Sequence, residues 1–109
     1  MADLYLKNKD DFDSAVAATN GGNPLLVDFT ASWCPPCQRI APIFEQLATE
    51  NADSVILKKV DVDANSEAAQ AAGIQCMPTF KVYKNGAESE KMEGASEQGL
   101  KDLIARAKQ

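Results

Sequence analysis

Leu25-Leu26-Val27-Asp28-Phe29-Thr30-Ala31-Ser32-Trp33-Cys34-Pro35-Pro36-Cys37 decides the fold and most of the chemistry of this chain. An apolar run leads through Trp33 to a Cys-x-x-Cys pair, after which Ile40, Ile43, Phe44 and Leu47 recur at helical spacing. The cysteines therefore sit where a strand hands over to a helix. Positions i and i+3 of a helix share one side with Cβ atoms about 5–6 Å apart. A disulfide needs about 3.5–4.5 Å, a gap that a small adjustment at the first turn closes. The helix start also offers unpaired N–H groups and the positive end of the macrodipole, both favouring a thiolate. A thiolate, not a thiol, attacks disulfides. The pair reads as a dithiol that can close and reopen.

Working outward, Leu4-Tyr5-Leu6 reads as a short first strand, and Asn8 caps a helix with Asp10 and Asp11 in its first turn. Phe12, Ala15 and Val16 face inward from it, and Asn20-Gly21-Gly22-Asn23-Pro24 breaks the chain. Residues 25–30 are apolar on both faces apart from Asp28, which predicts a central strand covered on both sides. Pro42 falls inside the helix that follows and should kink it. Val55 to Val62 is a third strand, and Ser66 to Ala72 a short helix closed by Gly73. Phe80 to Lys84 and Ala87 to Met92 flank Asn85-Gly86, a strong hairpin signal. Leu100, Leu103, Ile104 and Ala107 mark a terminal amphipathic helix. The order β-α-β-α-β-α-β-β-α predicts a mixed sheet with helices on both faces.

The 109 residues suit one domain, 1–109, with 45% hydrophobic and 25% charged residues. No segment reaches the roughly 20 apolar residues of a membrane span. Met1-Ala2-Asp3-Leu4 lacks the basic and apolar regions of a signal peptide, and three cysteines do not make a disulfide-stapled scaffold. A reducing cytoplasm is the expected setting. The net charge of −5 gives no footprint for nucleic acid and suits either plain solubility or an acidic, partner-steering face. With no histidine, Cys-His and Ser-His catalysis are excluded, and the commonest neutral metal ligand is missing.

Over essentially its whole length the chain resembles the thioredoxin family. The resemblance rests on Val27-Asp28-Phe29 before the cysteine pair, Pro42 in the next helix, and Met77-Pro78-Thr79 before the hairpin. Gly86 and Gly94 also stand where the family has glycines. The stretch from Val27 to Cys37 is similar to plant h-type members, and Cys76-Met77-Pro78-Thr79-Phe80 to animal cytosolic ones. Pro35 departs from the commonest motif, which has glycine, and Thr30 stands where bacterial members often carry tryptophan. The resemblance implies the thioredoxin fold, with a central mixed five-stranded sheet flanked by four helices. It implies a protein-disulfide reductase, an electron carrier for cell redox homeostasis. No cofactor would be bound, and NADPH and flavin would be used indirectly through thioredoxin reductase. Targets would be disulfide-bearing proteins such as peroxiredoxins and methionine sulfoxide reductases.

Residue by residue, the resemblance makes Cys34 the attacking, more exposed thiolate and Cys37 the resolving one. Asp28 takes the proton of Cys37; read from the residues alone, it is either a buried carboxylate of raised pKa or one that points to solvent at a strand end. Lys59 matches the family's lysine near that carboxylate or is a plain surface lysine. Pro78 corresponds to the family's cis-proline, leaving the Met77 backbone to pair with an extended substrate. Trp33, Pro36, Pro78 and Gly94 supply apolar docking surface, and Pro35 and Pro36 tune the potential. Cys76 reads either as a buried small hydrophobe or as an exposed thiol that links two otherwise monomeric copies on oxidation. Tryparedoxin- or nucleoredoxin-like oxidoreductases share Trp-Cys-Pro-Pro-Cys and are one alternative. A non-catalytic binding subunit on the same fold is another. A zinc site is a third, for which only Cys76 and carboxylates could complete the ligand set.

Overall fold

The computed structural model describes residues 3–109. Helix α1 runs Lys9–Ala17 and opens on Asn8, whose side chain accepts from the Asp11 amide at 2.8 Å. Strand β1 spans Leu25–Thr30, α2 Pro35–Glu50, β2 Ile56–Asp61 and α3 Ser66–Ala71. Strands β3, Thr79–Lys84, and β4, Ala87–Glu93, form the hairpin, and α4 runs Glu97–Ala107. Strand β2 begins at Ile56 rather than Val55 and β3 at Thr79 rather than Phe80, while α1, β1, α3 and β4 begin where their sequence signals placed them. Asn65 and Ser96 cap α3 and α4 by accepting amide hydrogen bonds from Ala68 and Gly99. Asn85 and Gly86 turn the hairpin with φ of 53° and 80°, the left-handed pair that a two-residue turn requires.

The sheet order is β2-β1-β3-β4, with β1 parallel to β2 and antiparallel to β3. The expected fifth strand is reduced to one parallel bridge between Tyr5 and Lys59. Leu6 N–H donates to the Lys59 carbonyl and Lys59 N–H to that of Leu4, each at 2.8 Å. The ladder stops because its next acceptor is taken: the Leu6 carbonyl receives the Asn65 side-chain amide at 3.0 Å. The Lys7 amide turns to the Asp11 carboxylate at 3.0 Å, pulling the chain into α1. The mixed sheet and the four flanking helices stand as expected.

Alternation along β1 builds the two layers. Leu26 packs with Phe80 and Val82 against Ile40, Phe44 and Leu47 of α2 and Leu100, Leu103 and Ile104 of α4. Leu25, Val27 and Phe29 face the other way, onto Phe12 of α1 and Ala68 of α3. All six β1 positions are buried, as a strand covered on both faces should be. Burying one such side chain contributes roughly 1.5–3 kcal/mol, so truncating Phe80 to alanine should cost about 3–5 kcal/mol. Asp28 lies between Leu26 and Thr30 in the strand, so it shares the face on which α2 packs. Helix α2 continues through Pro42, which has no amide to donate to the Gln38 carbonyl.

Candidate active site

Cys34 is the N-cap of α2 and Cys37 lies in its first turn, a placement fixed by the two prolines between them. Cys34 has extended backbone, φ −102° and ψ 106°, as a residue before proline prefers, and Pro35 and Pro36 occupy the first helical positions. The cysteines are joined as a disulfide with Cα atoms 5.3 Å apart. The Cys37 amide donates to Cys34 Sγ at 3.3 Å, so a helix-start N–H already points at the sulfur that would carry charge on reduction. The Gln38 side-chain amide donates to the Ala31 carbonyl at 2.9 Å, closing the loop from the end of β1 to α2.

Both sulfurs are more enclosed than a surface motif suggests. Cys34 is 5% exposed and Cys37 fully buried, packed with Ala31, Val62 and Met77. Cys34 is still the reachable one. The Met77 carbonyl stands 3.8 Å from Cys34 Sγ, and the Met77–Pro78 peptide bond is cis. The Pro78 carbonyl accepts the Gly94 amide at 2.9 Å, fixing the Gly94 turn beside this segment. Gly94 has φ 99°, a conformation that excludes most side chains. Trp33 is 61% exposed, a large apolar wall next to Cys34, and Pro36 is half-buried. Pro78 itself is buried, so of the four expected docking residues it forms floor rather than surface.

Asp63 was not among the expected residues, yet its carboxylate accepts the Trp33 indole N–H at 2.7 Å and sets the ring's orientation. A topological signal could have found it. Strands β1 and β2 are parallel, so the loops after Thr30 and Asp61 leave the same sheet edge, where ligands of open α/β sheets gather. Cys76 is exposed, which overturns its reading as a buried small hydrophobe, with Sγ 3.7 Å from the Thr79 hydroxyl.

Asp28 is 1% exposed, and neither carboxylate oxygen has a hydrogen-bond partner among the described residues. The solvent-facing reading of this residue is thereby excluded. Burial pushes its pKa up to about 7, with the Lys59 charge pulling the other way. Lys59 is the direct strand partner of Asp28 across β1 and β2, and it is buried rather than on the surface. Its ammonium pairs with Glu45 of α2 at 2.8 Å and lies 5.2 Å from the centre of the Tyr5 ring. A groove of about 510 Å³ opens beside Tyr5, Glu45 and Lys59, with Ala48, Ala52 and Val55 among its walls, away from Cys34. Neither cysteine lines that groove. Among the described residues no group of three or more Cys, Asp or Glu is placed to hold a metal ion.

A family model described as thioredoxin matches residues 3–106. A thioredoxin of Geodia cydonium is 52% identical over 105 residues, covering 95% of this chain and 97% of that one. An H-type thioredoxin of Chlamydomonas reinhardtii is 54% identical over 83 residues, covering 76% and 74%. The X-ray structure of Fasciola hepatica thioredoxin superposes with a TM-score of 0.89 at 40% identity, covering 95% of this chain and 98% of that one.

Proposed function

This chain belongs to the thioredoxin family, and from that membership we propose how its residues divide the work of a protein-disulfide reductase. Its activity is thiol-disulfide exchange through the Cys34–Cys37 pair. The observation that carries the division of roles is that Cys34 sits at the helix cap with an N–H on its sulfur, while Cys37 is fully enclosed.

Cys34 thiolate attacks one sulfur of a target disulfide; that S–S bond breaks, and the departing target sulfur leaves as a thiolate that takes up a proton. Cys37 gives its proton to the Asp28 carboxylate and attacks Cys34 Sγ. The mixed disulfide breaks, the second target sulfur leaves and is protonated, and Cys34–Cys37 closes. Two electrons pass from the dithiol to the target. Trp33, Pro36 and Gly94 offer the docking surface, Pro78 the floor, and the Met77 carbonyl edge an extended backbone to pair with. Pro35 and Pro36 tune the potential and Lys59 the charge near Asp28.

Recharging by thioredoxin reductase, with NADPH and flavin on that enzyme, belongs to this reading. So do peroxiredoxins and methionine sulfoxide reductases as targets, a cytoplasmic setting, and residues 1–109 working as one domain that is monomeric until oxidised at Cys76. Insulin-disulfide reduction driven by NADPH and a cytosolic thioredoxin reductase tests activity and recharging together. Turnover requiring both cysteines is expected. Reduction by dithiothreitol-charged protein but not by the reductase would reject the recharging partner, and no reduction by either would reject the reading.

A further inference from the structure

Asp28 and Lys59 face each other across adjacent strands, yet among the described residues the buried carboxyl has no hydrogen-bond partner while the buried ammonium has one elsewhere. Paired positions in neighbouring strands lie about 5 Å apart, close enough for a lysine to bend back onto the carboxylate beside it. Lys59 instead pairs with Glu45 at 2.8 Å, and the Tyr5 ring lies by its ammonium at 5.2 Å. Tyr5 is held there by the single bridge that ties the N-terminal segment to Lys59. The Lys59 side chain is 7% exposed and that of Glu45 38%, so Glu45 stands at the groove wall with water on one side.

We propose that Glu45 is a positioning residue for Asp28: by pairing with Lys59 it holds the ammonium off the Asp28 carboxyl and keeps that carboxyl able to accept and release a proton. The proposal deepens the role given to Asp28 above and rests on it for its functional meaning. An opposite charge brought within about 4–6 Å of a carboxylate lowers its pKa by about 1–3. A Lys59 pairing fully with Asp28 would therefore fix a permanent carboxylate where the exchange reaction needs one that can take up a proton. Among the described residues, Lys59 is the charged group that acts on the Asp28 carboxyl. From β2 the facing group is Lys59; from α2 it is Glu45 through Lys59, with Cys37 sealed in the disulfide. Opposite Asp28 on β3 is Phe80, and α4 contributes Leu100, Leu103 and Ile104 to this face, all uncharged. The N-terminal segment adds the Tyr5 phenol above Lys59.

The test follows the Asp28 carboxyl carbon by NMR across pH in the oxidised protein, alongside the pH profile of insulin reduction. Glu45→Gln keeps the shape and removes the charge, and should move the Asp28 midpoint down by about one pH unit. Lys59→Met should move it up. In the Lys59→Met background, Glu45→Gln should then change nothing, since its effect runs through Lys59. Glu45→Asp retains the charge on a shorter arm and should bring the midpoint back toward that of the parent. An unmoved midpoint in Glu45→Gln overturns the proposal. So does an equal shift with and without Lys59, which would make Glu45 only a distant charge, or a Glu45→Asp variant that behaves like Gln. Because the carboxyl is read directly, a shifted midpoint with an unshifted rate profile would reject the catalytic role of Asp28 and leave the Glu45 proposal standing.

Discussion

Replacing Asp28 by asparagine should stabilise the oxidised protein, and by an amount that grows with pH. In the unfolded chain the carboxyl loses its proton near its usual 3.8, whereas in the folded chain burial holds the proton until about pH 7. Between those values the native state binds more protons than the unfolded state, so stability falls as pH rises. The contribution is fully present below about 3.8 and is lost as pH climbs through about 7. Each pKa unit corresponds to 1.36 kcal/mol, and the interval of about three units gives roughly 4 kcal/mol lost by pH 7–8. Asparagine does not titrate. At pH 4 it and protonated Asp28 both bury an unpaired polar group, so those costs largely cancel. The variant should match the parent near pH 4 and exceed it by about 3–4 kcal/mol at pH 7–8, a large share of a total stability of roughly 5–15 kcal/mol. Urea unfolding of both oxidised proteins at each pH from 4 to 8, with m-values compared, measures the difference. A stability difference that stays constant with pH would refute the argument, because it would mean Asp28 does not change its proton binding on folding. The same variant should reduce insulin more slowly near neutrality and recover at high pH, where hydroxide can deprotonate Cys37.

Cys34→Ser should abolish disulfide reduction, whereas Cys37→Ser should retain targets as mixed disulfides visible on non-reducing gels; equal trapping by both would reverse or dissolve the assigned roles. Oxidant should yield a disulfide-linked dimer through the exposed Cys76 that Cys76→Ser cannot form, with monomer turnover little changed; a monomer-only gel would show the thiol is not accessible to a second copy. Pro35→Gly restores a backbone N–H near Cys34 Sγ and loosens the open ring, so the potential should rise by on the order of 20 mV, equivalent to roughly 1 kcal/mol for two electrons. Equilibration against glutathione measures it, and a lowered potential would count against the donor argument.

The elements were legible because each carries a local signal. Asn8, Asn65 and Ser96 cap helices by side-chain chemistry that depends on no distant residue. Asn85-Gly86 specifies its own turn. The cysteine pair was legible for the same reason, since its spacing and its helix start are adjacent in sequence. What the sequence did not disclose depends on contacts across the fold. The loss of the fifth strand turns on the Leu6 carbonyl meeting Asn65, and the Trp33–Asp63 hydrogen bond spans 30 positions. Glu45 was unreadable as Lys59's partner, because one residue comes from α2 and the other from β2. Asp28 stood between these cases. Its burial followed from the apolar run around it, but its lack of a hydrogen-bond partner among the described residues could be known only once its neighbours were placed.

The central position of β1 ties these features into one device. A carboxyl on an edge strand would be hydrated and ionised at neutral pH, unable to take a proton from a thiol. Placed between β2 and β3 and covered on both faces, it is kept from water, and Lys59 is the cation in reach. The same strand ends at Thr30, and its parallel register with β2 sends the Trp33–Cys34 loop and Asp63 out of one sheet edge together. Its antiparallel partner β3 begins at Thr79, at that same edge, which delivers Met77 and Pro78 to Cys34. In the proposed mechanism, one strand thus hides the proton acceptor and presents the attacking sulfur. Moving Asp28 by a single position would turn its carboxyl toward α1 and α3, away from α2 and its cysteines. The chemistry therefore depends on the register of β1 as much as on the identity of the residue it carries.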